Sequence, residues 1–118
     1  MVKLVYCIRR REDVPEDEFH RYWLDEHGPL VRSVADAIGA VRYVQSHAVS
    51  PELNAFLRQS RSSADPYEGI TEVWWESLEA IRAFAGEAIE NAVVHDSAAR
   101  MLIDFDRGVE HHQVTFDQ

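Results

Sequence analysis

Residues 15–39 read PEDEFHRYWLDEHGPLVRSVADAIG, and the way this stretch is punctuated decides what the chain can be. Pro15 followed by Glu16, Asp17 and Glu18 is a helix start, because proline suits the first turn and carboxylates suit the positive end of the helix dipole. Phe19, Trp23, Leu30, Val31, Val34, Ala35 and Ile38 then recur at helical spacing, and Gly39 is a stop. His27-Gly28-Pro29 lies inside this pattern. Pro29 cannot donate to the carbonyl of Asp25, so the helix is expected to kink or break there.

Strand patterns stand on either side of this helix. Val2 to Ile8 (VKLVYCI) is rich in β-formers and is ended by Arg9-Arg10-Arg11. Val41 to Val49 reads as a second strand, Gly69 to Glu76 (GITEVWWE) as a third, and Val109 to Phe116 as a fourth. Between the second and third, Glu52 to Asp65 is polar, with Leu53, Phe56 and Leu57 enough for one or two helical turns, and reads as a surface excursion. Ser77 caps a further helix carrying Glu79, Leu78, Ile81 and Ala85. Gly86 is expected to bend or divide it before a stretch through Val93, Val94, Met101, Leu102 and Phe105, closed by Gly108. The order β-α-β-β-α-β predicts an α+β ferredoxin-like sandwich over residues 1–118, a single domain with helices on one face of a four-stranded antiparallel sheet.

Strand parity predicts a partner. Leu4, Tyr6 and Ile8 point one way and Val5 and Cys7 the other, while Val73 and Trp75 oppose Ile70 and Trp74. Both sheet faces are therefore apolar, yet two helices cover only one, and a second copy of the chain is the simplest cover for the other.

Composition narrows the function. The 118 residues carry a formal charge of −9, a sign that repels phosphate, so neither nucleic acid nor an anionic membrane is an expected partner. With 46% hydrophobic and 10% aromatic residues the chain can build a core. Cys7 is the only cysteine, which excludes an internal disulfide and a cysteine-cluster metal site. No apolar run approaches the ~20 residues that span a bilayer, and Met1 to Tyr6 shows no cleavage-site pattern, so a cytoplasmic location is expected.

Several residues are candidates for chemistry. His27, at the helix interruption, is the residue type that serves as a general acid or base, or it caps the broken turn. Tyr22 is roughly 140° away around the helix, and only the kink brings the two rings into one cavity, where a phenol can donate to a ligand carbonyl. Trp23 continues the stripe begun by Phe19 and reads as core, with a ligand wall as its second role. Tyr43, Gln45 and His47 share one face of the second strand and can line a cavity or meet water at its end. Glu72 is either a desolvated base or an ion-pair partner for an arginine such as Arg42. Trp74 or Trp75 offers a flat wall for an aromatic ligand. His111-His112 point to opposite faces of a strand and cannot chelate one ion together, so no metal and no cofactor is expected.

The run Phe19-His20-Arg21-Tyr22-Trp23-Leu24-Asp25-Glu26-His27-Gly28-Pro29-Leu30-Val31 resembles the signature helix of the EthD domain, within the dimeric α/β-barrel superfamily. Lys3-Leu4-Val5-Tyr6, Pro66-Tyr67-Glu68-Gly69 before Glu72-Val73-Trp74, and Asp96-Ser97-Ala98-Ala99-Arg100 before Phe105 resemble it as well. The resemblance implies a homodimer holding a small hydrophobic or aromatic ligand between sheet and helices. Its members include an accessory protein of ether degradation, polyketide dehydratases and, more distantly, cofactor-free monooxygenases, cyclases and a lactone isomerase. A polyketide-like dehydratase, cyclase or isomerase using acid/base chemistry is thereby implied, with a non-catalytic binding or accessory protein as the alternative. The chain departs from that pattern in its longer Glu52–Asp65 excursion.

Overall fold

The computed structural model describes the backbone of residues 1–87 and 112–116, and side chains through residue 84. Strand β1 (Val2–Ile8) leads to helix α1 (Glu16–Tyr22), a π turn (Trp23–His27) and helix α2 (Gly28–Ile38). Strand β2 (Arg42–His47), helix α3 (Pro51–Arg61), strand β3 (Gly69–Trp75), helix α4 (Leu78–Glu87) and strand β4 (His112–Phe116) come after it. The strands lie in the order β2-β3-β1-β4, every neighbouring pair antiparallel. This is an α+β arrangement of the ferredoxin-like kind, helices against one face of an antiparallel sheet. The stretch expected as a second helix through Val93 to Phe105, the closing Gly108 and His111 lie outside the described residues.

The helix interruption takes a different form from the expected kink or break. The backbone stays helical from Glu16 to Ile38, and the disturbance is absorbed by widening one turn. The Gly28 N–H reaches back five residues to the Trp23 carbonyl instead of four. Proline both lacks a donor and crowds the carbonyl four residues before it, and a wider turn relieves the two problems together. Pro29 then sits in the first turn of α2, where a missing N–H costs nothing. The helix ends at Gly39, whose φ of 74° lets the Ala40 N–H bond to the Ala35 carbonyl at 2.9 Å.

Helix α3 is longer than the expected one or two turns. Pro51 suits its first turn, and most of the residues after it (Glu52, Leu53, Ala55, Leu57, Arg58, Gln59) are good helix formers. It ends through Ser62, whose left-handed conformation brings the Ser63 N–H to the Arg58 carbonyl at 3.0 Å. Leu53, Phe56 and Leu57 remain exposed on it. Helix α4 is described through Gly86 to Glu87, and the stretch beyond the bend or division expected at Gly86 lies outside the described residues.

Two apolar clusters hold helices to sheet. Ile8, Phe19 and Trp23 form one, with Tyr6, Val14 and Tyr22 against it. Val2, Val73, Trp75 and Ile81 form the other, joined by Leu4, Ile38, Tyr43 and Phe84. The cross-strand pairs Leu4–Val73 and Val73–Tyr43 place these residues on one face of the sheet. By alternation Lys3, Val5, Cys7, Arg42, Val44, Ile70, Glu72 and Trp74 lie on the other. The doubly apolar character of β1 is thus used on one side by Ile8, fully buried, and on the other by Cys7, buried as well. Burial also pushes the Cys7 thiol up from its ordinary pKa, toward an unreactive neutral form.

Candidate functional site

Tyr43, Gln45 and His47 alternate along β2 and meet the helices, where they form a continuous chain of hydrogen bonds. The Gln45 amide donates from Nε2 to the Trp23 carbonyl at 2.8 Å and to the Tyr43 hydroxyl oxygen at 2.8 Å. Its Oε1 is 2.8 Å from His47 Nε2. His47 Nδ1 lies 2.6 Å from His20 Nδ1 on α1, and His20 Nε2 lies 3.0 Å from Glu68 Oε1, just before β3. Arg10 Nε approaches the second oxygen of Glu68 at 3.7 Å.

The π turn makes this chain possible. Gly28 is close to Gln45: a Cβ there would lie 3.2 Å from Gln45 Nε2 and 3.5 Å from the Trp23 carbonyl oxygen. The absence of a side chain leaves room for the amide to reach the carbonyl of the widened turn. Gly69 has the same role for the ring of Trp23, which lies so close to its Cα that a Cβ would be 2.2 Å from the indole. The indole also stacks at a tilt on His47, centroids 4.5 Å apart.

Electrostatics separates the two ends of the chain. Burial raises the pKa of the Tyr43 phenol, partly countered by its bond from Gln45 and by the positive charge of Arg32. The phenol therefore stays protonated near neutrality and keeps a proton to donate. Burial lowers the pKa of His47, and His20 adds to the effect. At the far end His20 and Glu68 keep side-chain exposures of 21% and 17%.

The residues singled out from sequence divide among three places. Tyr43 and His47 belong to the chain, and Trp23 supplies both its carbonyl and a buried ring wall. Tyr22 packs on the Ile8–Phe19–Trp23 cluster at the start of the π turn, and His27, half-buried, ends it. Trp75 is fully buried, with its indole N–H donated to the Ile38 carbonyl at 2.9 Å. Glu72 and Trp74 face the opposite side of the sheet from Tyr43 and His47. Glu72 pairs there with Lys3 at 2.9 Å rather than with Arg42, because Lys3 and Arg42 both stack over Trp74 and only the lysine reaches the carboxylate. Sequence reasoning missed His20, Glu68 and Arg32 as site residues. The available signal was the four-residue spacing of Glu16 and His20, which puts both on one face of α1.

The fold and the helix-to-sheet polar chain define a ferredoxin-like α+β protein with a candidate site under its first helix. A family model described as the EthD domain matches residues 11–106, and the chain belongs to the EthD family. No curated protein matches it. Among solved structures, an ethyl tert-butyl ether D (EthD) family protein from Bacillus halodurans is similar at 15% identity and a TM-score of 0.67, covering 100% of this chain and 99% of that one. HapK from Hahella chejuensis is similar at 12% identity and a TM-score of 0.63, covering 100% and 93%. A dimeric protein of unknown function and ferredoxin-like fold from Bacteroides fragilis shares 11% identity at a TM-score of 0.57, covering 97% and 91%. Likeness at such identity speaks for the fold alone.

Proposed function

We propose that this chain is a homodimeric enzyme of small hydrophobic or aromatic molecules, working by acid/base chemistry of its own side chains without a cofactor. The observation that carries the reading is the hydrogen-bonded chain from Tyr43 to Glu68 on the helix-covered face of the sheet. Tyr43 is a neutral donor with its oxygen already fixed by Gln45, so its proton is free for a ligand carbonyl. Arg32 favours negative charge developing beside it. The His20–Glu68 pair is the proton acceptor, while Tyr22 and His27 flank the π turn as two further hydrogen-bonding aromatics. Dehydration, cyclisation or isomerisation of a polyketide-like ketone needs such a division between donor and acceptor.

A second reading has its own support. Both ring nitrogens of His47 are already engaged, by Gln45 and His20, which suits a rigid binding site as well as a reactive one. One ligand series separates the two. 1-Tetralone and related aryl ketones should quench tryptophan fluorescence, and Tyr43→Phe should weaken their binding about tenfold, the loss of roughly one hydrogen bond. The enzyme should also accelerate deuterium exchange at the ketone α-carbon, and Glu68→Gln should lower that rate by about 10²-fold or more. Binding without accelerated exchange favours the accessory role, and binding indifferent to Tyr43→Phe removes Tyr43 from the site.

The homodimer, with paired sheets closing a dimeric α/β barrel in which four strands come from each copy, is supported by the apolar content of the sheet face turned away from Tyr43 and His47. Val5, Val44 and Ile70 lie there half-buried, beside the buried Cys7 and Trp74. Light scattering at micromolar concentration should give twice the chain mass. Val44→Glu places a second carboxylate directly across from Glu72 and should return the mass to one chain. A well-folded monomer in the unsubstituted protein would end this part of the proposal.

A further inference from the structure

The hydrogen-bonded chain can be read atom by atom, because one end of it has a fixed direction. The Trp23 carbonyl can only accept, so the group 2.8 Å from it must be the NH2 of Gln45, and the Gln45 oxygen faces His47. That oxygen can only accept, and His47 Nε2 therefore carries a proton. At the other end the Glu68 carboxylate can only accept, 3.0 Å from His20 Nε2. Between these two oxygens lie three contacts: Gln45 to His47, His47 to His20, and His20 to Glu68. Each contact needs one proton, and two neutral imidazoles bring only two. With both rings neutral, one contact is left without a proton: either the bare Nε2 of His20 faces the carboxylate or the two Nδ1 atoms face each other.

One positive charge is missing from that gap, and the surroundings fit more than a proton. Glu16 precedes His20 by four residues, so both project from one face of α1. Ligand atoms of Glu16, His20 and Glu68 all lie within 4.8 Å of one another. An ion held about 2.1 Å from each in a tetrahedral arrangement would need them about 3.4 Å apart, which His20 Nε2 and Glu68 Oε1 already satisfy at 3.0 Å and which Glu16 reaches by moving in up to about 1.4 Å. Glu16 is exposed and free to make that movement. His47 completes the arrangement as the group behind the ligand, accepting from His20 Nδ1 and leaving His20 Nε2 bare for metal. Arg10 beside the second oxygen of Glu68 weakens the site without occupying Oε1.

We propose that Glu16, His20 and Glu68 form a binding site for a divalent transition-metal ion of the zinc type, with water filling the remaining positions. One imidazole and two carboxylates suit zinc, cobalt or manganese better than calcium, which takes six to eight oxygens. This runs against the metal-free expectation drawn from the sequence, which weighed only cysteines and the His111-His112 pair. The ion takes the place of the proton that the proposed chemistry exchanges there, so it competes with that chemistry and is not its cofactor. Binding itself does not depend on the proposed function.

Calorimetric titration of the full chain with ZnCl2, without any organic ligand, should show one equivalent bound with a micromolar dissociation constant. Cobalt(II) should give a visible spectrum of low-coordinate character that zinc abolishes. Glu16→Gln, exposed and safe for folding, should weaken binding at least tenfold, and Glu68→Gln and His20→Asn should do the same or more. Absence of a single equivalent up to millimolar zinc would show that only a proton fills the gap and overturn the proposal. So would zinc binding that survives all three substitutions, which would place the ion on other histidines. The Tyr43→Phe binding experiment tests the functional reading separately.

Discussion

Gly69→Ala should cost the fold about 3 kcal/mol, a large share of what holds a domain of this size. A Cβ on Gly69 would sit 2.2 and 2.4 Å from two carbons of the Trp23 ring and 3.1 Å from the Ser46 carbonyl oxygen. The indole cannot withdraw easily, since it is buried and also meets Phe19 and His47. Interiors are packed too densely to absorb a methyl group at such a distance, so either the ring leaves its rotamer or β3 moves away from α1. Urea denaturation measures the loss, and heating should show a fall of roughly 10 °C or more. A double-substitution cycle assigns the cause. Trp23→Leu alone removes a large buried ring and is costly, but in the Gly69→Ala background it should cost far less, a coupling above about 1 kcal/mol. Stability of Gly69→Ala within about 0.5 kcal/mol of the unsubstituted protein would show that the ring has another place to go.

This contact shows what sequence can and cannot reveal here. Glycine opening a strand was visible, and so were β1, β3 and the helical stripe from Phe19 to Ile38, because each rests on local periodicity and end signals. The family resemblance rested on the Phe19–Val31 part of that segment together with three further stretches. Pro29 marked a disturbance correctly but could not say how it is resolved. A break, a kink and a π turn all accommodate a missing N–H, and the choice depends on contacts from elsewhere in the fold. Gln45 supplies one from another strand, donating to the Trp23 carbonyl at the start of the widened turn. Alternation on β2 was enough to bring Tyr43, Gln45 and His47 together. It could not show that Glu72 and Trp74 belong to the opposite face, because relative facing is set by the register of β3 with β2. His20 and Glu68 are 48 residues apart and meet only through the fold. Helix α3 was underestimated because its apolar residues are few and stay exposed, so burial gave no sign of its length.

Gln45→Glu tests the directionality on which the site depends, with nearly no change in shape. Ionised, the new side chain would have only acceptors and would set one of them 2.8 Å from the Trp23 carbonyl, where the amide now donates. The Tyr43 hydroxyl would reverse its role and donate to the new oxygen, and the oxygen facing His47 would keep its partner, so the opposition falls on the Trp23 carbonyl. Leaving half-buried acceptors opposed should cost about 2–3 kcal/mol at neutral pH. Gln45→Leu should cost less, since it removes the hydrogen bonds without adding repulsion. The sign of the pH dependence is distinctive. A carboxyl group forced to donate is favoured in its protonated form, so its pKa in the folded chain lies above the unfolded value of about 4.3. Relative to the unsubstituted protein, the variant should match it most closely below about pH 4.3 and lose stability as the pH rises through and beyond that value. Denaturation midpoints compared at pH 4 and pH 7 read this directly. A Gln45→Glu penalty that is equal at both pH values, or no larger than that of Gln45→Leu, would mean that the amide does not donate to the Trp23 carbonyl, and the proton count along the chain would lose its starting point.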